Sequence, residues 1–288
     1  MIRIPLLTDD GEKRMIIKEH TVRKYEKLAY YLALFTKSMK SKWDTLVYID
    51  LFSGPGRSKV DGKDEIYPGS PFIALNLEEK FSKYIFCDEE ADSVHALKIR
   101  LEREAKGMDA QIVEGDANAN VDSVIRLVPR ASKTNRTLSF CFADPYALEN
   151  LKFRTIKEIS DHIYVDVFVL IPSFMDAKRN QEIYLKTDNS TIDEFLGDNT
   201  WRDKWGTKSA EGRKFGAFVM NEFGEQMKKI GYLYDDLSDA ETICESGTKR
   251  ALYHLCLFSK HAKGKQFWQD AMKYTDDQTE LDLGGHNG

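Results

Sequence analysis

Asp50, Asp88, Asp116 and Asp144 each close a run of aliphatic, aromatic and β-branched residues, and Gly54 and Gly56 follow the first of them. An ionised carboxylate offers acceptor oxygens and no donor. Several on one sheet edge therefore suit a ligand rich in hydroxyl and amino donors, such as a nucleoside. Asp88 is placed to accept from both ribose hydroxyls, and Asp116 from the exocyclic amine of an adenine. Between Gly54 and Gly56 the backbone can turn tightly and approach a ligand closely. One carboxylate at a strand end is ordinarily a turn residue or helix cap, and a lone Gly-x-Gly is weak evidence. Four successive strand ends of the same kind point to a nucleoside-binding edge.

The runs that carry these carboxylates read as strands at 45–50, 83–88, 110–116 and 137–144, with a fifth at 166–173. Helical spacing of Tyr25, Leu28, Leu32 and Phe35 predicts a helix over 21–41 with Thr21 as its N-cap. Ser70 followed by Pro71 predicts a second helix, capped by Ser70 and reaching about Lys80. Further helices are expected at 91–106 and 121–128. Residues 57–67 form a polar loop longer than a usual strand-to-helix link, expected to act as a mobile lid over the glycine turn. Past Ser173 come a helix over 175–186, a polar aromatic-rich insert over 191–205 and a helix over 211–230. Two late strands, near Cys244 and at 251–258, and a helix at 266–274 follow.

Strands alternating with helices argue an α/β fold built on a doubly wound, mostly parallel sheet. The expected organisation is an N-terminal segment (1–20), one domain (21–275) carrying a helical, aromatic insert at about 175–230, and a disordered tail (276–288). A net charge of −5 gives no chain-wide basic field, so any polyanion contact must be local. Apolar runs fall short of the ~20 residues that span a bilayer. The N-terminus lacks the apolar stretch of a signal peptide. No membrane association and a cytoplasmic location are expected. Cys87, Cys141 and Cys256 sit in apolar runs and Cys244 stands apart, without a Cys-x-x-Cys pair. Buried free thiols are expected rather than a metal site or disulfides.

The order of these elements resembles class I S-adenosylmethionine-dependent methyltransferases. A closer resemblance is to the three-Cys-motif partner (TcmP) family. It rests on Tyr48-Ile-Asp-Leu-Phe-Ser-Gly-Pro-Gly56, Gly69-Ser-Pro-Phe-Ile-Ala74, Glu114-Gly-Asp-Ala-Asn118 and Ala143-Asp-Pro-Tyr146. Phe195-Leu-Gly-Asp198 with Trp201, and Tyr253-His-Leu-Cys-Leu-Phe-Ser-Lys-His261 with Gly264 and Trp268, extend it towards the C-terminus. It implies a Rossmann-like methyltransferase fold with S-adenosylmethionine as cofactor, held by Asp50, Phe52, Ser53, Gly54, Gly56, Asp88, Asp116 and Ala117. Asp50 would hold the methionine ammonium, directly or through water. It also implies a partner protein of the three-Cys-motif, phage Gp37/Gp68 type, and a phage, mobile-element or defence setting.

Asp144-Pro145-Tyr146 resembles the Asp-Pro-Pro-Tyr motif of methyltransferases that modify exocyclic amines of bases. That resemblance makes Asp144, Pro145 and Tyr146 the catalytic candidates and a DNA or RNA base the expected acceptor. The second proline is missing, which sets Tyr146 one place early. A non-catalytic scaffold that binds a nucleotide and the partner is the alternative, and a protein or small-molecule acceptor a third. Basic groups for a polyanion are Lys152, Arg154, Lys157, Lys178, Arg179, Lys260, His261, Lys263 and Lys265, with Trp201, Trp205 and Phe267 as base-stacking candidates. His254 is expected to be a packed core histidine.

Overall fold

A computed structural model describes residues 3–245, 248 and 250–272. Its chain order is β1 (Met15–Ile17), α1 (Glu19–Met39), β2 (Thr45–Asp50), β3 (Arg57–Val60), β4 (Ile66–Pro68), α2 (Ser70–Leu75), β5 (Lys83–Asp88) and α3 (Ala91–Glu104). Then come β6 (Ala110–Glu114), α4 (Val121–Leu127), β7 (Thr137–Ala143), α5 (Phe153–His162) and β8 (Val165–Ile171). The last part holds α6 (Gln181–Tyr184), α7 (Thr191–Leu196), α8 (Trp201–Ala210), α9 (Phe215–Lys229), β9 (Ala240–Cys244) and β10 (Ala251–Phe258), with residues 262–272 helical.

Seven strands form the main sheet in the order β6-β5-β2-β7-β8-β10-β9. Pairing is parallel from β6 to β8, and β10 runs antiparallel to both β8 and β9. Numbered from β2 within this sheet, that is 3-2-1-4-5-7-6 with only strand 7 reversed. The molecule therefore has the Rossmann-like class I methyltransferase fold. The strand order reverses beside β2, and ligand crevices of open α/β sheets lie outside the carboxyl ends of the strands at such a switch point.

Side-chain alternation along each strand divides the core in two. Val47, Ile49, Cys141 and Val167 face α4, α5 and the helices α7–α9, whereas Leu46, Tyr48, Phe140 and Phe168 face α1, α2, α3 and the helix at 262–272. Cys87, Cys141 and Cys256 are buried free thiols, as their apolar surroundings indicate. Among the described residues, no helix is long and apolar enough to cross a membrane.

The expected elements differ from the observed ones in instructive places. Helix α1 starts at Glu19, with Lys18 rather than Thr21 as its N-cap residue. Helix α2 is capped at Gly69 and ends at Leu75, so Ser70 already lies inside it. The supposed loop at 57–67 is the hairpin β3–β4, which pairs with β1 in a separate three-stranded sheet. Helix α5 was not among the expected elements, although Phe153, Ile156 and Ile159 have helical spacing and are buried. In place of a helix over 175–186 there is a π turn (Ser173–Ala177) followed by α6.

The aromatic insert is two helices, α7 and α8, and its tryptophans do not stack outward. Trp201 and Trp205, four residues apart on α8, are buried against Phe215 of α9. Phe267 is half-buried and packs on the α1 side of the core. The C-terminal helix begins at 262, earlier than expected. Residues 273 and 274 of the expected helix, and the whole expected tail, lie outside the described residues.

Candidate functional site

The carboxyl ends of β2, β5, β6, β7 and β8 border a single cavity of about 720 Å³. Phe52, Ser53, Gly54, Gly56, Asp88, Asp116, Ala117, Asp144, Pro145 and Tyr146 all line it. The sheet order sets their sequence across it: Asp116, Asp88, the glycine turn, then Asp144, with Pro172 beyond.

Around Asp88, the glycine turn is built by hydrogen bonds from backbone amides. Gly54 N–H donates to Asp88 Oδ2 at 2.6 Å and Glu90 N–H to Asp88 Oδ1 at 3.0 Å. Ser53 N–H donates to the Cys87 carbonyl at 2.9 Å, and Gly69 N–H to the Gly56 carbonyl at 2.8 Å. Gly54 (φ +60°) and Gly56 (φ +86°) take left-handed conformations. A Cβ on Gly56 would also meet the Phe72 ring at 2.9 Å. Burial raises the Asp88 carboxyl above its ordinary pKa, against the pull of its two amide donors. Asp116 accepts from Ala119 N–H at 2.8 Å and from the Asn118 amide at 3.1 Å, so one face of it shapes the turn into α4. Asn118 in turn accepts from Lys152 N–H and Thr155 Oγ, tying the β6 end to the segment after β7.

Ser53 Oγ is buried, lines the cavity and has no hydrogen-bond partner among the described residues. A buried hydroxyl left unpartnered is costly. Together with the glycine turn and Asp88, it makes a cradle whose polar groups fit a nucleoside bearing an amino-acid head.

Asp50 departs from expectation. It is fully buried and is not on the cavity wall. Its carboxylate lies beneath the turn, accepting from Phe52 N–H at 3.3 Å and the Tyr48 hydroxyl at 3.2 Å. Asp50 therefore braces the turn from below, off the cavity wall. Burial pushes Asp50 up to about 7, with the Asp144 charge adding to the shift and hydrogen bonds from Ser70, Phe52 and Tyr48 opposing it.

The raised carboxyl sets a pH dependence. Below about pH 4, Asp50 is protonated in both folded and unfolded chains, and its contribution to stability is fully present. Between about pH 4 and 7 the unfolded chain ionises first, so that contribution is lost as pH rises through the folded value. Asp50→Asn, neutral throughout, is expected to gain melting temperature relative to wild type between pH 5 and pH 8. Scanning calorimetry at the two pH values measures it. A difference that is flat across that range would count against a neutral buried carboxyl.

The other side of the cavity holds residues that the sequence pattern did not disclose. Lys24, on the second turn of α1, forms an ion pair with Asp144 through Oδ2. The side chains retain only 8% and 18% of their exposure. Burial pulls the Lys24 ammonium towards neutrality, but the Asp144 charge, the neighbouring Tyr25 and Tyr253 and the hydrogen bond to Asp144 together outweigh it and hold the pKa above its usual value. The Nζ also lies 5.1 Å from the Tyr25 ring centroid. His20, Thr21, Lys24 and Tyr25, one side of the start of α1, all line the cavity. So does Tyr253 of β10, whose hydroxyl is buried without a partner among the described residues.

The N-terminal segment completes the wall. Arg100, fully buried on α3, donates to both oxygens of Asp10 at 2.7 and 2.8 Å and to the Lys13 and Pro55 carbonyls. One guanidinium thereby ties the segment to the glycine turn, and Met15, Ile16 and Ile17 of β1 reach the cavity. Met15 to Lys18 thus line the cavity, and Asp10 and Lys13 fasten the stretch before them to Arg100.

Tyr146 is 92% exposed and stands at the rim with Met15, Ile16 and Met175, all exposed. Most of the expected basic groups are already engaged. Lys152 pairs with Glu194, Lys157 with Asp161, and Lys265 with Asp235 and Asp239. Lys260 donates to the Ser160 carbonyl. His261 Nδ1 accepts from Lys263 N–H, closing a turn. Lys178 and Arg179, exposed and just past Met175, make no ion pair among the described residues. His254 is the packed histidine expected: its Nδ1 is 2.7 Å from Ser173 Oγ, and burial lowers it to about 4.

No family model matches the chain, and no curated protein matches it significantly. Solved structures do align with it. Protein LPL1258 from Legionella pneumophila matches at 12% identity and TM-score 0.47, over 86% of this chain and 91% of that one. Cofactor-bound Rv0187 from MTB matches at 11% identity and TM-score 0.42, over 87% and 84%. An rRNA methylase from Streptococcus thermophilus matches at 11% identity and TM-score 0.39, over 85% and 98%.

Proposed function

We propose that the chain binds S-adenosylmethionine along the carboxyl edge of its sheet and methylates an exocyclic amine of a nucleic-acid base. The observation that carries this reading is convergence. A cradle with an unpartnered Ser53 hydroxyl and a buried acid sits beside a second group of polar residues, around Asp144, in the same cavity. When bound, the cofactor would supply an electrophilic methyl group, its sulfonium sulfur keeping the electron pair of the C–S bond as the methyl passes to the amine nitrogen. Gly54, Gly56 and Ser53 would hold the amino-acid head, Asp88 the ribose hydroxyls, and Asp116 and Ala117 the adenine. Asp144, with Oδ2 committed to Lys24, keeps Oδ1 to accept from the amine and orient its lone pair. The proton the amine loses then leaves through that oxygen to solvent. Tyr146 at the rim offers a stacking face to a base turned out of its strand, and Lys178 and Arg179 offer phosphate contacts.

Calorimetric titration with S-adenosylmethionine and S-adenosylhomocysteine tests the cofactor half. Transfer of labelled methyl groups to single-stranded DNA and RNA tests the acceptor half. Micromolar cofactor binding and labelled amine are expected; absence of cofactor binding would overturn the reading.

A second reading has its own support. The mouth carries exposed Met15, Ile16, Tyr146 and Met175, an apolar rim suited to a protein surface. With the TcmP resemblance, this favours a nucleotide-binding scaffold for a three-Cys-motif partner. Cofactor binding without methylation of any nucleic acid would leave that reading ahead.

A further inference from the structure

Tyr253 is the third residue of β10, the antiparallel strand, so it arrives at the same sheet edge as the carboxyl ends of the parallel strands. Alternation along β10 sends His254, Cys256 and Phe258 to the opposite side and Tyr253 towards α1. There its ring meets His20 edge-on at 6.0 Å. The residue is 4% exposed, lines the cavity, and its hydroxyl has no hydrogen-bond partner among the described residues. Buried polar groups in native structures are nearly always paired, and an exception calls for an absent partner such as a ligand.

Asp144 stands in the same cavity with one oxygen committed to Lys24. Tyr253 meets His20, and Asp144 pairs with Lys24 one helical turn further along the same side of α1, so the start of α1 brings the two groups to one part of the cavity. A ligand there meets a free carboxylate oxygen that accepts and a phenol hydroxyl that donates. The matching edge is a donor beside an acceptor: an N–H of an amine next to a bare ring nitrogen. Adenine and cytosine carry that edge. They carry it on the Watson–Crick side, at N6 and N1 of adenine and at N4 and N3 of cytosine. Hypoxanthine and uracil have no exocyclic amine, and guanine has a protonated N1 on that side, offering an amine beside a bare nitrogen only at N2 and N3 on its sugar side.

We propose that Tyr253 donates its hydroxyl hydrogen to the ring nitrogen adjacent to the accepting amine on the Watson–Crick edge of the base, and so restricts the acceptor to adenine or cytosine. This rests on the base-amine reading above. Tyr253 acts as a specificity residue: Asp144 orients the amine, and Tyr253 fixes which heterocycle can present it.

The test uses the full chain with S-adenosylhomocysteine and labelled single strands that differ at one position. That position carries adenine, 1-deazaadenine, cytosine, 3-deazacytosine or uracil. Wild type is expected to bind adenine or cytosine about tenfold more tightly than the matching deaza base, a difference of about one hydrogen bond. Tyr253→Phe is expected to bind both members of the pair equally, at the deaza level. Methylation of the same strands should lose the same factor in kcat/KM. The melting temperature of Tyr253→Phe should not fall, since the lost hydroxyl bonds to nothing in the free protein.

Discrimination that survives in Tyr253→Phe, or wild type indifferent to the deaza substitution, would overturn the assignment while leaving base methylation standing. If cofactor binds but no strand is bound or methylated, the base-amine reading fails and this inference falls with it.

Discussion

Lys24→Met is expected to lower methyl transfer by about 10²–10³-fold while changing S-adenosylmethionine affinity little. The reason lies in what the substitution leaves behind. Asp144 retains 18% of its side-chain exposure and loses the ammonium that holds Oδ2. A carboxylate stripped of its only ion-pair partner among the described residues, in a largely desolvated place, will turn towards water. That removes the fixed acceptor that would orient the amine. Removing one member of a buried pair typically costs about 3–5 kcal/mol, and the residual exposure of Asp144 puts this case at or below the lower end. Denaturant unfolding should therefore register a loss in Lys24→Met.

The double variant Lys24→Met with Asp144→Leu separates the two roles. Replacing both charges by apolar groups is expected to recover most of the stability, as uncharged substitutes for buried pairs generally do. It should recover none of the transfer. If Lys24→Met kept wild-type turnover, Asp144 would need no fixed partner, and the pair would be a fold-stabilising contact only.

How much of this was legible in the chain follows from the range of each signal. The glycine turn and the strand-end carboxylates announce themselves because type, spacing and strand boundary coincide within a few residues. Each of those residues except Asp50 lies on the cavity wall. Asp50 misleads because residues just before the turn look alike in sequence whether they face the ligand or support the turn from beneath. Lys24 is separated from Asp144 by 120 positions, and no local pattern encodes such a meeting. Its one trace is a lysine set against the apolar stripe of α1, beside Tyr25 and Leu28. Tyr253 is hidden the same way, since only the reversal of β10 brings its start to the ligand edge. The tryptophans of α8 carried a readable signal: two aromatics four apart mark a buried helix face more often than a stacking platform.

The hairpin β3–β4 has a similar explanation. Residues 57–67 are polar enough to resemble a loop, and their pairing partner, β1, comes from the N-terminal segment. Arg100 holds that segment in place from the interior of α3. A short polar strand that pairs with a distant three-residue strand leaves no periodicity to detect.

Asp88→Ala is expected to weaken S-adenosylmethionine binding by about 100-fold or more. A carboxylate that accepts from both ribose hydroxyls would contribute about 1.5–3 kcal/mol per charged hydrogen bond. The substitution also removes the acceptors of Gly54 and Glu90 N–H, so part of the loss would come through a loosened glycine turn. The two contributions can be separated calorimetrically with S-adenosylhomocysteine and its 2′,3′-dideoxy analogue. If Asp88 meets the ribose, removing the hydroxyls costs wild type dearly and costs Asp88→Ala almost nothing, because the two changes delete the same contact. If Asp88 acts only on the turn, the losses add. Asp88→Asn should fall between, since it keeps one acceptor oxygen but turns an amide donor towards an amide or hydroxyl that also donates. Equal affinity in wild type and Asp88→Ala would remove Asp88 from the cofactor site altogether, leaving Ser53 and the glycine turn as an anion or amino-acid cradle without a ribose contact.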